Sequence, residues 1–191
     1  YSATALGAIL SARRVELLKQ RVSIRSADPR WVTRSRPLSY LSYEEAEELA
    51  HFGARVLHAW TIEPARRAGI PILVRSLADP RQTTTIGPAI HHSTPRALTM
   101  LPSLRLLALR VPGGREQPGI MAEVTRSLAD CGVNLIQLYT SATLLCAIVD
   151  SRDAGPARRI LARLARDRDM TAEPPQEVDM VIAIGERILE D

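Results

Sequence analysis

A mixed α/β (α+β) chain of two parts is what this 191-residue sequence predicts, on three observations. Residues 104–150 run apolar stretch, glycine-bearing loop, helical stripe, apolar stretch, apolar stretch, the order of half a ferredoxin-like βαββαβ unit. Upstream, a helical pattern over 41–58 and a shorter one from about 61 lead into the run Ile70-Pro-Ile-Leu-Val-Arg75, the helix-then-strand grammar of a mostly parallel sheet. Between the two lies 86–102, with Gly87, three prolines and two histidines, which reads as a linker.

Taken in order, residues 1–18 read as a helix giving way to a strand, with Ala3, Leu6, Leu10 and Ala12 on the apolar side of the helix. Residues 19–26 are polar and ambiguous. Pro29 forces Asp28 out of helical geometry, so Ala27-Asp-Pro-Arg30 is a turn, and 31–38 is irregular. Ser42 with Glu45 three residues on is a capping box, and Leu41 can staple the helix start. That helix has Ala46, Leu49, Ala50, Gly53, Val56 and Leu57 inward, and Gly69 ends the next one. Residues 79–85 read as a loop.

In the second part, Ile120, Val124, Leu128 and Cys131 recur at helical spacing, and Met121 thickens the stripe. Pro118 is tolerated in a first turn, and Gly132 suits a left-handed C-cap. Strands follow at 133–140 and 143–150. Ser151 to Asp153 can cap a helix with Ala157, Ile160, Leu161 and Leu164 inward. Residues 170–176 read as a Pro-rich connection and 178–184 as the strand that completes βαββαβ.

Composition removes several function classes. Lys19 is the single lysine, so the net charge of +4 is nearly all scattered arginine, and aromatics are only 4%. Without a basic run interleaved with aromatics, no nucleic-acid partner is expected. No apolar run is long enough to cross a bilayer and there is no signal-peptide pattern, so no membrane partner is expected either. Cys131 and Cys146 lack metal spacing and read as buried thiols of a reducing, cytoplasmic compartment. His91 and His92 sit in the linker without companion ligands, and no metal site is expected. His51 reads as solvated helix surface and His58 as a polar contact at a helix end. The start at Tyr1, without an initiator Met, reads as a fragment, a processed piece or partial coordinates.

The loop before the second part's first helix carries the chemistry. Pro112-Gly-Gly-Arg-Glu-Gln-Pro-Gly119 can bring bare backbone N–H groups up to a small anion such as a carboxylate, and the helix N-terminus adds partial positive charge. Equally, Pro118-Gly119 can be a turn and a helix start. Arg115 and Gln117 are polar contacts or loop surface, and Asn134 is a turn former or a ligand contact.

Here resemblance adds to the residues. Pro118-Gly119-Ile120, Cys131-Gly-Val-Asn-Leu135 and a closing strand ending Val149-Asp150 are similar to an ACT domain, a βαββαβ module that binds amino acids in metabolic enzymes. Leu41-Ser-Tyr-Glu-Glu-Ala46, Phe52-Gly-Ala-Arg-Val-Leu-His58, Thr61-Ile-Glu-Pro-Ala65, Gly69-Ile-Pro-Ile72 and Asp28-Pro29-Arg30 resemble motifs of the aspartate kinase family. Tyr1-Ser-Ala-Thr-Ala5 is similar to the segment after that family's Gly-Gly-Ser-Asp. The resemblance implies the C-terminal part of an amino-acid kinase domain at 1–90, a linker at 91–103 and an ACT domain at 104–191. The start of a second ACT repeat is possible at 178–191.

The implied function is the regulatory segment of an aspartate kinase, whose family transfers the ATP γ-phosphoryl to the aspartate β-carboxylate at the head of lysine, threonine and methionine synthesis. Control would come from an end-product amino acid, lysine, threonine or methionine, bound at Arg115, Gln117, Gly119, Ile120, Met121, Ala122 and Asn134. Partners would be a second copy through the ACT sheets or a kinase subunit. Arg30 and Arg55 would face the nucleotide, with ATP and Mg as cofactors of the intact family enzyme. Departures limit this. Lys19-Gln-Arg-Val-Ser23 aligns with the family's acidic Thr-Asp-x-Asp-Gly, Arg55 replaces a lysine, Ala59 replaces a proline, and Ala142 stands where an ACT site often has Glu. The lysine-bearing Gly-Gly phosphate segment of the family lies upstream of the matched region. This chain alone is therefore expected to be inactive, with no catalytic residue and no cofactor of its own. The alternative is a kinase-derived protein that binds amino acids or acts as a scaffold without catalysis.

Overall fold

Alternating burial along 72–76 and 104–111 sets up two separate sheets. The computed structural model describes residues 1–20, 24–53, 57–79, 81–90, 95–112 and 118–186. The chain divides into two units, one of Tyr1–Met100 with Val181–Asp191 and one of Leu101–Met180. These limits differ from the expected divisions at 90, 103 and 191.

The first unit holds α1 (Ser2–Ile9), β1 (Val15–Lys19), β2 (Tyr40–Ser42), α2 (Tyr43–His51), α3 (Glu63–Ala68), β3 (Ile72–Ser76) and β4 (Thr83–Gly87). Ser42 and Glu45 form the expected capping box. Ser42 N donates to Glu45 Oε2 at 2.9 Å, and Glu45 N donates to Ser42 Oγ at 3.1 Å. Gly69 closes α3 at φ +65°, where a Cβ would be strained. The sheet order is β1-β3-β4-β2. β1 pairs β3 in parallel and β2 pairs β4 in parallel, but β3 and β4 are antiparallel, so the sheet is mixed rather than mostly parallel. The expected loop at 83–85 is strand, because three consecutive threonines suit a pleated ladder with β3. Ile72, Val74 and Ile86 are fully buried against Ala46 and Leu49 of α2 and Ala65 of α3.

Two expectations fail here. α2 ends at His51 instead of running to 58, and residues 54–56 lie outside the described residues. Leu6 and Leu10 face outward, while Thr4 and Gly7 are the buried side of α1. Gly7 decides this: a Cβ there would come within 2.5 Å of Val15 Cγ2, so the missing side chain lets α1 approach β1.

The second unit takes its elements from β5 (Ala97–Arg110), α4 (Ile120–Asp130), β6 (Leu135–Thr140), β7 (Leu144–Asp150), α5 (Ala154–Asp167), β8 (Thr171–Ala172) and β9 (Gln176–Ile184). β5 starts within the expected linker, so 97–103 is strand. The order β6-β7-β5-β8 is that of the βαββαβ unit, with β9 also pairing β5. The closing strand of that path is β8, inside the expected connection at 170–176, and not 178–184. Two residues, Thr171 opposite Arg110 and Ala172 opposite Leu109, are too few to give a period in sequence.

Leu107, Leu109, Leu145, Ala147 and Val149 of the sheet pack on Val124 and Leu128 of α4 and on Ala157, Ile160, Leu161 and Leu164 of α5. All the expected inward positions of α5 are buried. Cys131 and Met121 are exposed, contrary to the expected stripe; Cys146 is buried. Asp153 sits at the N-cap of α5 without a side-chain cap bond; its Oδ2 accepts instead from Asn134 N at 3.4 Å.

Candidate functional site

The second unit carries a cavity of about 330 Å³ at the N-terminus of α4. Its walls are Val111 at the end of β5, Gly119, Ile120 and Met121 at the start of α4, and residues 140–145 around the β6–β7 turn. The turn is held by Ser141 N donating to Leu144 O at 2.8 Å and Leu144 N donating to Ser141 Oγ at 3.2 Å. Val111 N donates to Thr143 O at 2.9 Å, which ties the strand end to the turn.

Gly119 makes the approach to the cavity possible. It is the N-cap of α4 at φ +87°, with no side chain to cap the helix. First-turn N–H groups have no intrahelical acceptor, and those of Ile120, Met121 and Ala122 have no backbone acceptor among the described residues, which leaves them open to solvent or a ligand. Together with the partial positive charge of the helix end, they suit a carboxylate. Thr125 Oγ1 donates to Met121 O at 2.9 Å and Ala122 O at 3.0 Å, which firms this first turn.

Of the expected effector contacts, Gly119, Ile120 and Met121 line the cavity, while Ala122 follows them in the same turn without lining it. Asn134 lies beyond the far end of α4, about 16 Å along an 11-residue helix. Arg115 and Gln117 lie outside the described residues, as does Arg55. The sequence reading missed Val111 and the residues around the turn other than Ala142; the run Thr140-Ser-Ala-Thr143 between two strands was their one signal.

On the kinase-like side, Arg30 is exposed and engaged with Asp28, its Nη2 lying 2.6 Å from Oδ2. That hydrogen bond, with the nearby carboxylate charge, raises the Arg30 guanidinium above its usual value. His58 Nδ1 accepts from Trp60 N at 3.3 Å and so caps the N-terminus of a single 3-10 turn at Ala59–Thr61, instead of making the expected contact at a helix C-terminus. Lys19 ends β1. Mg²⁺ is held by carboxylates and other hard oxygens. Among the described residues no group of three or more His, Cys, Asp or Glu could hold a metal. Among them, too, no helix is long and apolar enough to cross a membrane.

Residues 1–76 match the amino acid kinase family. The chain is 33% identical over 146 residues to the bifunctional aspartokinase/homoserine dehydrogenase 2 of Arabidopsis thaliana, covering 72% of this chain and 16% of that protein. It is 33% identical over 153 residues to lysine-sensitive aspartokinase 3 of Escherichia coli, covering 79% and 34%. Among solved structures, Escherichia coli aspartokinase III in complex with lysine and aspartate superposes with a TM-score of 0.74 at 30% identity, over 97% of this chain and 42% of that one. Clostridium acetobutylicum aspartate kinase gives a TM-score of 0.86 at 22% identity, over 98% and 45%, which concerns the fold alone. The chain thus spans under half the length of each of these relatives.

Proposed function

The chain belongs to the aspartate kinase family, and on that premise we propose that it is the regulatory segment of an aspartate kinase, carrying the end of the kinase domain and an amino-acid-binding ACT unit. The carrying observation is the cavity beside Gly119, where uncapped backbone N–H groups meet an open space of about 330 Å³. An amino acid's carboxylate would take those donors and its side chain would fill the cavity. An effector acts only through its different affinity for two arrangements of the protein. The second arrangement would be an altered pairing with another copy: β6 ends the sheet order, so its outer edge has no strand partner among the described residues. Edge-to-edge pairing of two such sheets is the expected assembly.

Isothermal titration calorimetry with lysine, threonine and methionine tests the reading, with sedimentation velocity run in parallel. Binding of one of them, with a shift in assembly, supports it. A folded chain that binds none overturns it.

A second reading has its own support. Lys19 and Gln20 stand where the family carries the acids of its nucleotide segment, which favours a non-catalytic, kinase-derived amino-acid binder. Assaying phosphoryl transfer to aspartate in the longest natural form of the protein separates the two.

A further inference from the structure

We propose that this cavity selects an amino acid with an uncharged side chain, aliphatic, hydroxyl or thioether, and discriminates against lysine. The inference rests on the effector reading above and narrows it to a ligand class. Among the described residues that line the cavity, none is ionisable. The interior is apolar: Val111 and Leu145 are buried, and Ile120 and Leu144 half-buried. The remaining side-chain polarity is hydroxyl, from Thr140, Ser141 and Thr143.

Such walls treat ligand side chains unequally. An aliphatic or thioether chain gains by leaving water against the leucines and Val111. A hydroxyl chain can exchange water for the rim hydroxyls, since Ser and Thr oxygens both donate and accept. An ε-ammonium placed against these walls loses hydration and meets no carboxylate among the described lining residues, and an unpaired buried charge is strongly disfavoured.

Ala142 is the position that decides this. It is exposed at the tip of the β6–β7 turn and lines the cavity. The turn's hydrogen bonds run between Ser141 and Leu144 and do not use its side chain. Its φ is not positive, so a longer side chain fits the backbone. A carboxylate at 142 would supply the counter-charge that lysine lacks.

The test is calorimetric titration of the full chain and of Ala142→Glu with L-threonine, L-methionine and L-lysine. In the unaltered chain, threonine or methionine binds more than about tenfold tighter than lysine. Ala142→Glu, which keeps the turn, gains about tenfold for lysine, the size typical of one new charge-assisted contact. Lysine binding as tightly as the neutral amino acids in the unaltered chain overturns the selectivity and leaves the effector reading standing. An Ala142→Glu protein that folds and gains nothing for lysine overturns the role given to position 142. No binding of any of the three overturns the effector reading and the selectivity with it.

Discussion

Gly119 gives the sharpest test of how the cavity is built. It sits at φ +87° and ψ −7° before the first turn of α4. A Cβ built there meets no atom within 4 Å among the described residues, so Gly119→Ala introduces no clash with them. The whole cost is backbone strain, since a Cβ disfavours the left-handed region by about 1–2 kcal/mol. For a chain of this length each kcal/mol lowers Tm by about 2–4 °C, so the expected loss is about 2–8 °C. Asn enters this region more readily than Ala, and Gly119→Asn should lose about half as much. Thermal unfolding followed by circular dichroism, with urea titration for the free energy, measures both variants. Equal, negligible losses would refute the conformation given to Gly119. A loss beyond about 4 kcal/mol would refute the open space around it, since strain alone does not reach that value.

Other expectations follow from the same geometry. Leu128→Ala removes a side chain with no exposed surface from between α4 and the sheet, and should cost about 2–5 kcal/mol in urea titration. Ser42→Ala removes the acceptor for buried Glu45 N, and should cost about 1–2 kcal/mol, visible as a lower urea midpoint with unchanged slope. Glu47 should show a pH effect. Burial raises its carboxyl, Arg66 pulls it down, and Glu63, Glu44 and Glu48 raise it further, for a net upward shift. The folded state therefore holds this proton to higher pH than the unfolded chain does. Its contribution favours folding below the unfolded value of about 4.3 and is lost as pH rises through the folded value. Glu47→Gln should then improve relative to the parent between pH 4 and pH 7 in Tm measurements. A parent that gains on the variant over that interval would contradict the sign.

Of the candidate cavity, one wall was legible in sequence, because Gly119, Ile120 and Met121 are neighbours along the chain. Pro118-Gly119-Ile120 marks a turn and helix start by local sterics alone, and Gly119 adopts the positive φ such a position needs. Gly132 at φ +69° likewise follows from where the helical stripe stops. The inward face of α5 and the capping box at Ser42 are periodicity and local hydrogen bonding, which need no distant partner. Misses came where burial depends on what another element brings. Leu6 and Leu10 look like a helix core, yet Gly7 is the residue β1 needs, and the leucines turn outward. Met121 has the spacing of a core residue but stands at the cavity wall.

The sequence by itself determined the family, the run of α4, β6, β7 and α5 in the second unit and the glycine that opens the helix end. Those depend on residue types at short spacings, which fix backbone conformation locally. Only the tertiary structure decided that β8 rather than 178–184 closes the βαββαβ path, that the first sheet is mixed, and that residues 140–145 face Gly119 across a cavity. The cavity walls join Gly119 to Thr140, and β1 meets β3 with Val15 opposite Ile72, and no local pattern carries such distances.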